Sequence, residues 1–153
     1  MGEARTLKGE QKMSRPYIYI QTEKASLAKL EEVNSIEENV VKNLVEYLDD
    51  YQPERIGASK SSMMGPVGKL ISAISAGRFE NKIAIVGFVA NIHNNVSKTP
   101  LSQNAFNRLS AAVDGLEQLR KLVPSRMWLR VLREIDYAVF AKQYEKISLN
   151  SKR

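Results

Sequence analysis

Five cationic side chains fall within the 14 residues from 120 to 133, a spacing that suits the binding of phosphate. They are Arg120, Lys121, Arg126, Arg130 and Arg133. A guanidinium presents a fork of N–H donors that matches phosphate oxygens, and an ammonium adds a compact positive charge. A solvated helix face more often mixes charges of both signs. The series therefore indicates a surface for polyanions, with an ordinary solvated face as the simpler alternative.

A helix predicted over residues 125–147 would bring the arginines of this series together. At 100° per residue, Arg126, Arg130, Arg133 and Tyr137 fall within about 60° of one another. Tyr137 adds a ring on which a base can stack. Glu134 lies one turn after Arg130 and predicts an ordinary i,i+4 ion pair. The opposite side is apolar and predicts a face that docks on a core, comprising Trp128, Val131, Leu132, Ile135, Ala138 and Val139.

The stretch "GASKSSMMGPVGK" adds two further candidates, Lys60 and Lys69. It lacks the spacing of a phosphate-binding P-loop, and no clear strand precedes it. Its lysines, hydroxyls and backbone amides nevertheless suit contacts to phosphates, and a mobile basic loop near a polyanion is one interpretation. A simple surface linker is the favoured interpretation of the stretch.

No catalytic or metal-binding set can be assembled from the remaining residues. The chain has no cysteine, which excludes disulfides, thiolate catalysis and Cys-ligated metals. His93 is the only histidine, and at a helix end we expect it to satisfy local carbonyls or face water. Asp49 and Asp50 are typical of solvated surface leading into a turn. The sequence therefore predicts a protein that is not an enzyme and has no cofactor and no metal.

The positions of residues that begin and end helices predict an all-α fold, a single-domain bundle of five or six helices. Residues 1–15 indicate a flexible basic N-terminal arm, residues 16–147 the helical domain, and residues 148–153 a disordered tail. The sequence leaves open whether Met1 or Met13 is the true start. "PYIYIQ" suggests a short extended segment lying along the helical body.

Local signals predict where most of the helices begin and end. Thr22 can cap a first helix to residue 33, and Ser35 with Glu38 forms a capping box for a second, to about residue 50. A loop follows, and then a helix over 67–76 that Gly77 ends. Residues 83–90 fit a buried helix or a buried strand; we choose helix, because no partner strands are visible. A long helix opened by Thr99 and Pro100 precedes the arginine helix, for which the predicted cap is Ser125, following Pro124.

The overall charge limits the kinds of partner. The net charge of +6 favours nucleic acid first and anionic membranes second. No run of 18 apolar residues exists and no secretory signal is visible, so we expect a cytoplasmic protein with no membrane partner. Recognition signatures for bases are also missing. Contacts would therefore be to the backbone and shape of single-stranded RNA or an RNA duplex, although DNA remains an alternative.

Three segments carry a resemblance to a known family: "SKSSMMGPVGKLISAI", "NKIAIVGFVANIH" and the closing aromatic "LREIDYAVFAKQYEK". Together they resemble the small helical subunits of CRISPR effector complexes. The type III small subunit is most similar, and the archaeal type I small subunit is a near rival. The resemblance implies a non-catalytic role in antiviral defence, with copies stacked along a guide RNA and its target beside other subunits of a ribonucleoprotein complex.

Two functions from different classes therefore stand. The first is a nucleic-acid-backbone-binding small subunit of a multi-protein, RNA-guided complex, with self-association as an additional property. The second is a helical structural or coat protein of a virus that packs nucleic acid.

Overall fold

The computed structural model describes residues 24–51, 59–78, 81–97 and 100–151. Within these ranges the chain forms five α-helices and one 3-10 turn and contains no strand. The predicted all-α bundle is therefore confirmed, whereas the N-terminal arm and the "PYIYIQ" segment lie outside the described residues. The elements are α1 (Lys24–Tyr51), α2 (Lys60–Ser75), α3 (Lys82–Val96), α4 (Gln103–Leu122), the 3-10 turn (Ser125–Met127) and α5 (Trp128–Ser151).

Helix α1 is one continuous helix of 28 residues, so the predicted break near residue 34 is wrong. Ser35 and Glu38 lie exposed in the middle of the helix and do not form a terminal capping box. Val33 and Val40 are buried on either side of this point, and the half-buried Ile36 packs against the core between them. The apolar face thus continues across Ser35, and its burial outweighs the small intrinsic helix penalty of one serine.

All five helices contribute to one hydrophobic core. Helices α1 and α4 approach each other closely at Gly115, where a Cβ atom would lie 2.5 Å from Val40 Cγ2. Glycine therefore sets this interhelical distance, because any side chain would collide with α1. The apolar face of α4 is buried, with Ala105, Leu109, Ala112, Val113, Leu116 and Leu119 all in the core.

Helix α2 begins at Lys60, earlier than the predicted start at residue 67. Ser59 caps it, since the side chain accepts a hydrogen bond of 3.2 Å from the backbone N–H of Ser62. Gly65 (φ 50°, ψ −131°) kinks the helix, and Pro66 starts the second segment, where a missing N–H costs nothing. Gly77 adopts a φ of 68° just after the helix, as a residue that ends a helix should.

Helix α3 confirms the choice of helix over strand for residues 83–90. Asn81 caps it, accepting a hydrogen bond of 2.9 Å from the backbone N–H of Ala84. Ile85, Val86 and Val89 are buried, but Ile83 is 83% exposed. The apolar run therefore starts outside the core, because one helix can bury only one side of itself.

Two predicted helix boundaries are shifted in the second half of the chain. Ser102 rather than Thr99 caps α4, accepting a hydrogen bond of 3.0 Å from the backbone N–H of Ala105. Ser125 does not cap α5; it opens the 3-10 turn that follows Pro124. Helix α5 then runs to Ser151, four residues beyond the predicted end at residue 147.

Candidate nucleic-acid interface

Helix α5 has its arginines on an exposed side and its apolar side chains on a buried side, as the sequence predicted. Arg130, Arg133 and Tyr137 are exposed, and the exposed Arg126 precedes them on the 3-10 turn. The other side is buried in the core at Val131, Leu132, Ile135 and Val139. We call the exposed face, consisting of Arg126, Arg130, Arg133, Tyr137 and Tyr144, the α5 stripe.

The corner between α4 and α5 fixes where the α5 stripe begins. The N–H of Val123 donates a hydrogen bond of 3.0 Å to the Leu119 carbonyl, and the Val123 side chain is buried. Trp128, the first residue of α5, is half-buried and packs against the edge of the core. These two contacts hold the start of α5 against the bundle, so the arginines project from a fixed support.

Acidic side chains near the α5 stripe do not neutralise it. Within the described part of the chain, no carboxylate forms an ion pair with Arg126, Arg130 or Arg133. The predicted Arg130–Glu134 pair is therefore not formed. Each ion pair observed between described residues joins two different helices, and two of the four involve α5 through side chains other than these arginines: Lys60–Asp136, Lys82–Asp114 at 3.1 Å, Arg108–Glu46 at 3.0 Å and Lys146–Asp49 at 2.7 Å.

A groove between α2 and α5 brings three predicted residues together from distant parts of the sequence. Lys60 and Lys69 of α2 and Arg133 of α5 line it, and Asp136 is the carboxylate on its wall. Hydroxyl groups complete the lining at Ser61, Ser62, Ser72 and Ser75. We call this surface the α2–α5 groove. Arg133 belongs to it and to the α5 stripe, so the two surfaces are continuous.

Lys60 is placed differently from the prediction. It lies in the first turn of α2 rather than in a mobile loop. Its ammonium group pairs with Asp136 and lies 5.8 Å from the centre of the Phe140 ring. Because a helical turn, a carboxylate and an aromatic ring all hold this side chain, its charge has a defined place beside α5.

Two predicted residues belong to neither the α2–α5 groove nor the α5 stripe. Arg120 and Lys121 are exposed in the last turn of α4, before the corner. Arg120 lines a small separate pocket with Glu117 and Trp128. The eight predicted residues therefore divide into a continuous surface on α2, the 3-10 turn and α5, and a second pair on α4.

The sequence interpretation missed Tyr144, which is 52% exposed on the same side of α5 as Tyr137. The two rings are seven residues apart, so helical periodicity places them within about 20°. Tyr144 also contacts the half-buried Phe140, with ring centres 6.1 Å apart. The signal was available in the sequence, since the pattern that joined Arg130 to Tyr137 repeats once more.

His93 is buried, in contrast to the expectation that it satisfies local carbonyls or faces water. It is 2% exposed, and its Nδ1 lies 2.7 Å from the hydroxyl oxygen of the fully buried Tyr47. Tyr51 packs beside both rings. Burial raises the pKa of the Tyr47 hydroxyl above its usual range, and the nearby Tyr51 and Asp50 add to this effect. The hydroxyl stays neutral, as a hydrogen-bonded core group should.

Two further features bear on the chemistry of the described residues. In them, no group of three or more histidine, aspartate or glutamate side chains is arranged to hold a metal ion. Among the helices described, none combines the length and the apolar character needed to cross a membrane.

Comparisons with known proteins add no relative. No known protein family, no curated protein and no solved structure matches the chain.

Proposed function

We propose that this protein is a non-catalytic subunit that binds the phosphate backbone of nucleic acid through the α5 stripe and the α2–α5 groove. The observation that carries the proposal is the exposure of Arg130 and Arg133 on one face of α5, preceded by the exposed Arg126 of the 3-10 turn, with no ion pair from any of the three to a described carboxylate. The buried opposite face of α5 holds this face in place.

The energetics of such a face support an external anion. Like charges three or four residues apart on a helix repel each other, at a cost of a few tenths of a kcal/mol per pair. Phosphate oxygens would remove this repulsion and accept hydrogen bonds from the guanidinium forks. Serine hydroxyls and Lys60 beside Arg133 add the kinds of donors that contact phosphates without reading sequence.

The proposed setting is a cytoplasmic ribonucleoprotein complex of the RNA-guided, CRISPR type, acting in antiviral defence. Its support is the resemblance of three segments, which correspond to α2, α3 and most of α5. Two of these segments supply Lys60, Lys69 and Arg133, the cations of the groove. RNA is accordingly the proposed ligand, and other subunits of the complex are the proposed protein partners.

A salt titration tests the binding proposal. Binding of single-stranded RNA should weaken as salt rises, with a slope of about 0.7 for each neutralised phosphate. The Arg126→Ala/Arg130→Ala/Arg133→Ala variant should lose about two units of this slope. The control is Lys29→Ala/Lys42→Ala/Lys142→Ala, which removes the same charge from exposed positions outside the interface. Equal affinities and slopes in wild type and the arginine variant would reject the proposal.

Isolation of the native assembly tests the proposed setting. Copurification of other subunits and a defined small RNA is expected for the RNA-guided complex. Assembly of the purified protein alone into regular particles around nucleic acid would instead identify the viral coat protein.

A further inference from the structure

The second half of the α5 stripe is aromatic rather than cationic. Tyr137 is 67% exposed and Tyr144 is 52% exposed. The α5 stripe thus changes along the helix, from guanidinium groups at Arg130 and Arg133 to phenol rings at Tyr137 and Tyr144. Neither ring is needed to fill the core, since Val139 and Ile135 occupy the buried side of the same turns.

The two rings are spaced for stacking. Seven residues separate them, which corresponds to about 10 Å along the helix axis. This distance is close to three intervals of about 3.4 Å, the rise between successive nucleotides of a stacked strand. Ala141 lies between the rings on this face, and its small exposed side chain leaves the space above it open. The axial spacing of the two residues therefore matches the length of two bases stacked between two rings.

Contacts from neighbouring groups hold the second ring in place. The centre of the Phe140 ring lies 6.1 Å from that of the Tyr144 ring, with the two planes at 42°. Lys60 Nζ lies 5.8 Å from the centre of the Phe140 ring. A ring that is partly ordered before binding loses less conformational freedom when a base stacks on it. Lys60 adds a positive charge next to this aromatic surface.

We propose that Tyr137 and Tyr144 stack on unpaired bases, so that the ligand of the interface is a single strand of nucleic acid. The inference rests on the proposed function, because the strand's phosphates lie on Arg130, Arg133 and the α2–α5 groove. A duplex satisfies only the phosphate contacts, since its bases are already stacked and paired.

The test compares one RNA in two forms: a labelled oligoadenylate of about 16 nucleotides, an upper site size for single-strand domains, and its duplex with oligouridylate. Tyr137→Ala/Tyr144→Ala should weaken single-strand binding by about 25-fold or more and change duplex binding by less than about twofold. Because both rings are exposed, its thermal unfolding should match that of wild type.

Matched variants separate stacking from apolar contact. Tyr137→Phe/Tyr144→Phe keeps both rings and should retain single-strand affinity, whereas Tyr137→Leu/Tyr144→Leu keeps apolar area alone and should behave like the alanine variant. Phe106→Ala removes an exposed ring from α4 and should leave binding unchanged. Equal loss from Phe106→Ala, or full affinity in the leucine variant, would overturn the stacking role.

The outcomes also separate this inference from the function on which it rests. If Arg126→Ala/Arg130→Ala/Arg133→Ala weakens both forms of RNA while the tyrosine variants weaken neither, the backbone proposal stands and the single-strand inference fails. If wild type binds neither form, both fail. If the tyrosine variants reduce self-association measured by sedimentation and leave RNA binding intact, the rings belong to a protein interface and the inference is overturned.

Discussion

Two grooves flank α5, and their charges are arranged in opposite ways. Among described residues, the α2–α5 groove contains three cationic side chains, Lys60, Lys69 and Arg133, and one carboxylate, Asp136. The groove on the other side, between α1 and α5, mixes four glutamates with three lysines: Glu37, Glu38, Glu46, Glu134, Lys42, Lys142 and Lys146. One helix therefore borders a basic surface and a nearly balanced one.

Ion pairing, in addition to the number of charges, distinguishes the two sides. On the α1 side, Lys146 pairs with Asp49 and Glu46 pairs with Arg108 across helix boundaries. Among the described cations of the α2–α5 groove, only Lys60 is in an ion pair, and Arg133 continues into an exposed stripe. A groove with nearly equal numbers of positive and negative side chains has little net charge, whereas an excess of positive side chains attracts an external anion. The comparison thus places the candidate site on the α2 side of α5.

The side chains beneath the grooves differ as well. Glu37, only 2% exposed, borders the groove on the α1 side. The floor on the α2 side includes Tyr51, which packs on the hydrogen-bonded Tyr47–His93 pair. Tyr51 brings no carboxylate beneath the basic groove, which keeps the electrostatic potential there favourable for phosphate.

The largest effect on stability is expected at the kink that shapes the α2–α5 groove. Gly65→Ala should destabilise the fold by about 2–4 kcal/mol, because φ is positive there and a Cβ would lie 2.5 Å from the Tyr51 ring. The control is Gly68→Ala in the same groove, where a Cβ makes an ordinary contact of 3.5 Å. Urea unfolding measures both. Equal stability of the two variants would show that the kink does not depend on glycine.

A smaller effect on stability is expected at Tyr47, which lies beneath Tyr51 in the core. Tyr47→Phe should cost about 1–2 kcal/mol, because it removes the buried hydrogen bond to His93 Nδ1. The raised pKa of Tyr47 stabilises the fold below the unfolded pKa of about 10, and this contribution is lost as pH rises further. The difference in the free energy of unfolding between wild type and Tyr47→Phe should therefore be smaller at about pH 11 than at about pH 8. An equal difference at both pH values would contradict a contribution of the raised Tyr47 pKa to stability.

The smallest effect on stability is expected from two lysine variants that compare the grooves directly. Lys60→Ala and Lys146→Ala each remove one exposed ion pair, so each should cost no more than about 0.5 kcal/mol. Only Lys60→Ala should also weaken RNA binding and lower its salt slope by about 0.7, the value for one phosphate. If both variants weaken binding equally, net charge rather than the α2–α5 groove determines affinity.

Features with a local cause were predictable from the sequence. The helical period alone separated Arg130, Arg133 and Tyr137 from Val131, Leu132 and Ile135, and both faces of α5 are as predicted. The same holds for the stop at Gly77, where a positive φ follows the helix. These features depend on residues within one or two turns of each other, so a single sequence contains their cause.

Only the tertiary structure decided which distant residues meet. Lys60 and Asp136 are 76 positions apart, and Tyr47 and His93 are 46 apart, so no local pattern relates them. The continuity of α1 through Ser35 and the early start of α2 have the same origin, because burial against other helices outweighs weak local signals. The sequence by itself determined the all-α class and the arginine face of α5. Packing determined the groove, since a groove exists only where two separately formed helices lie side by side.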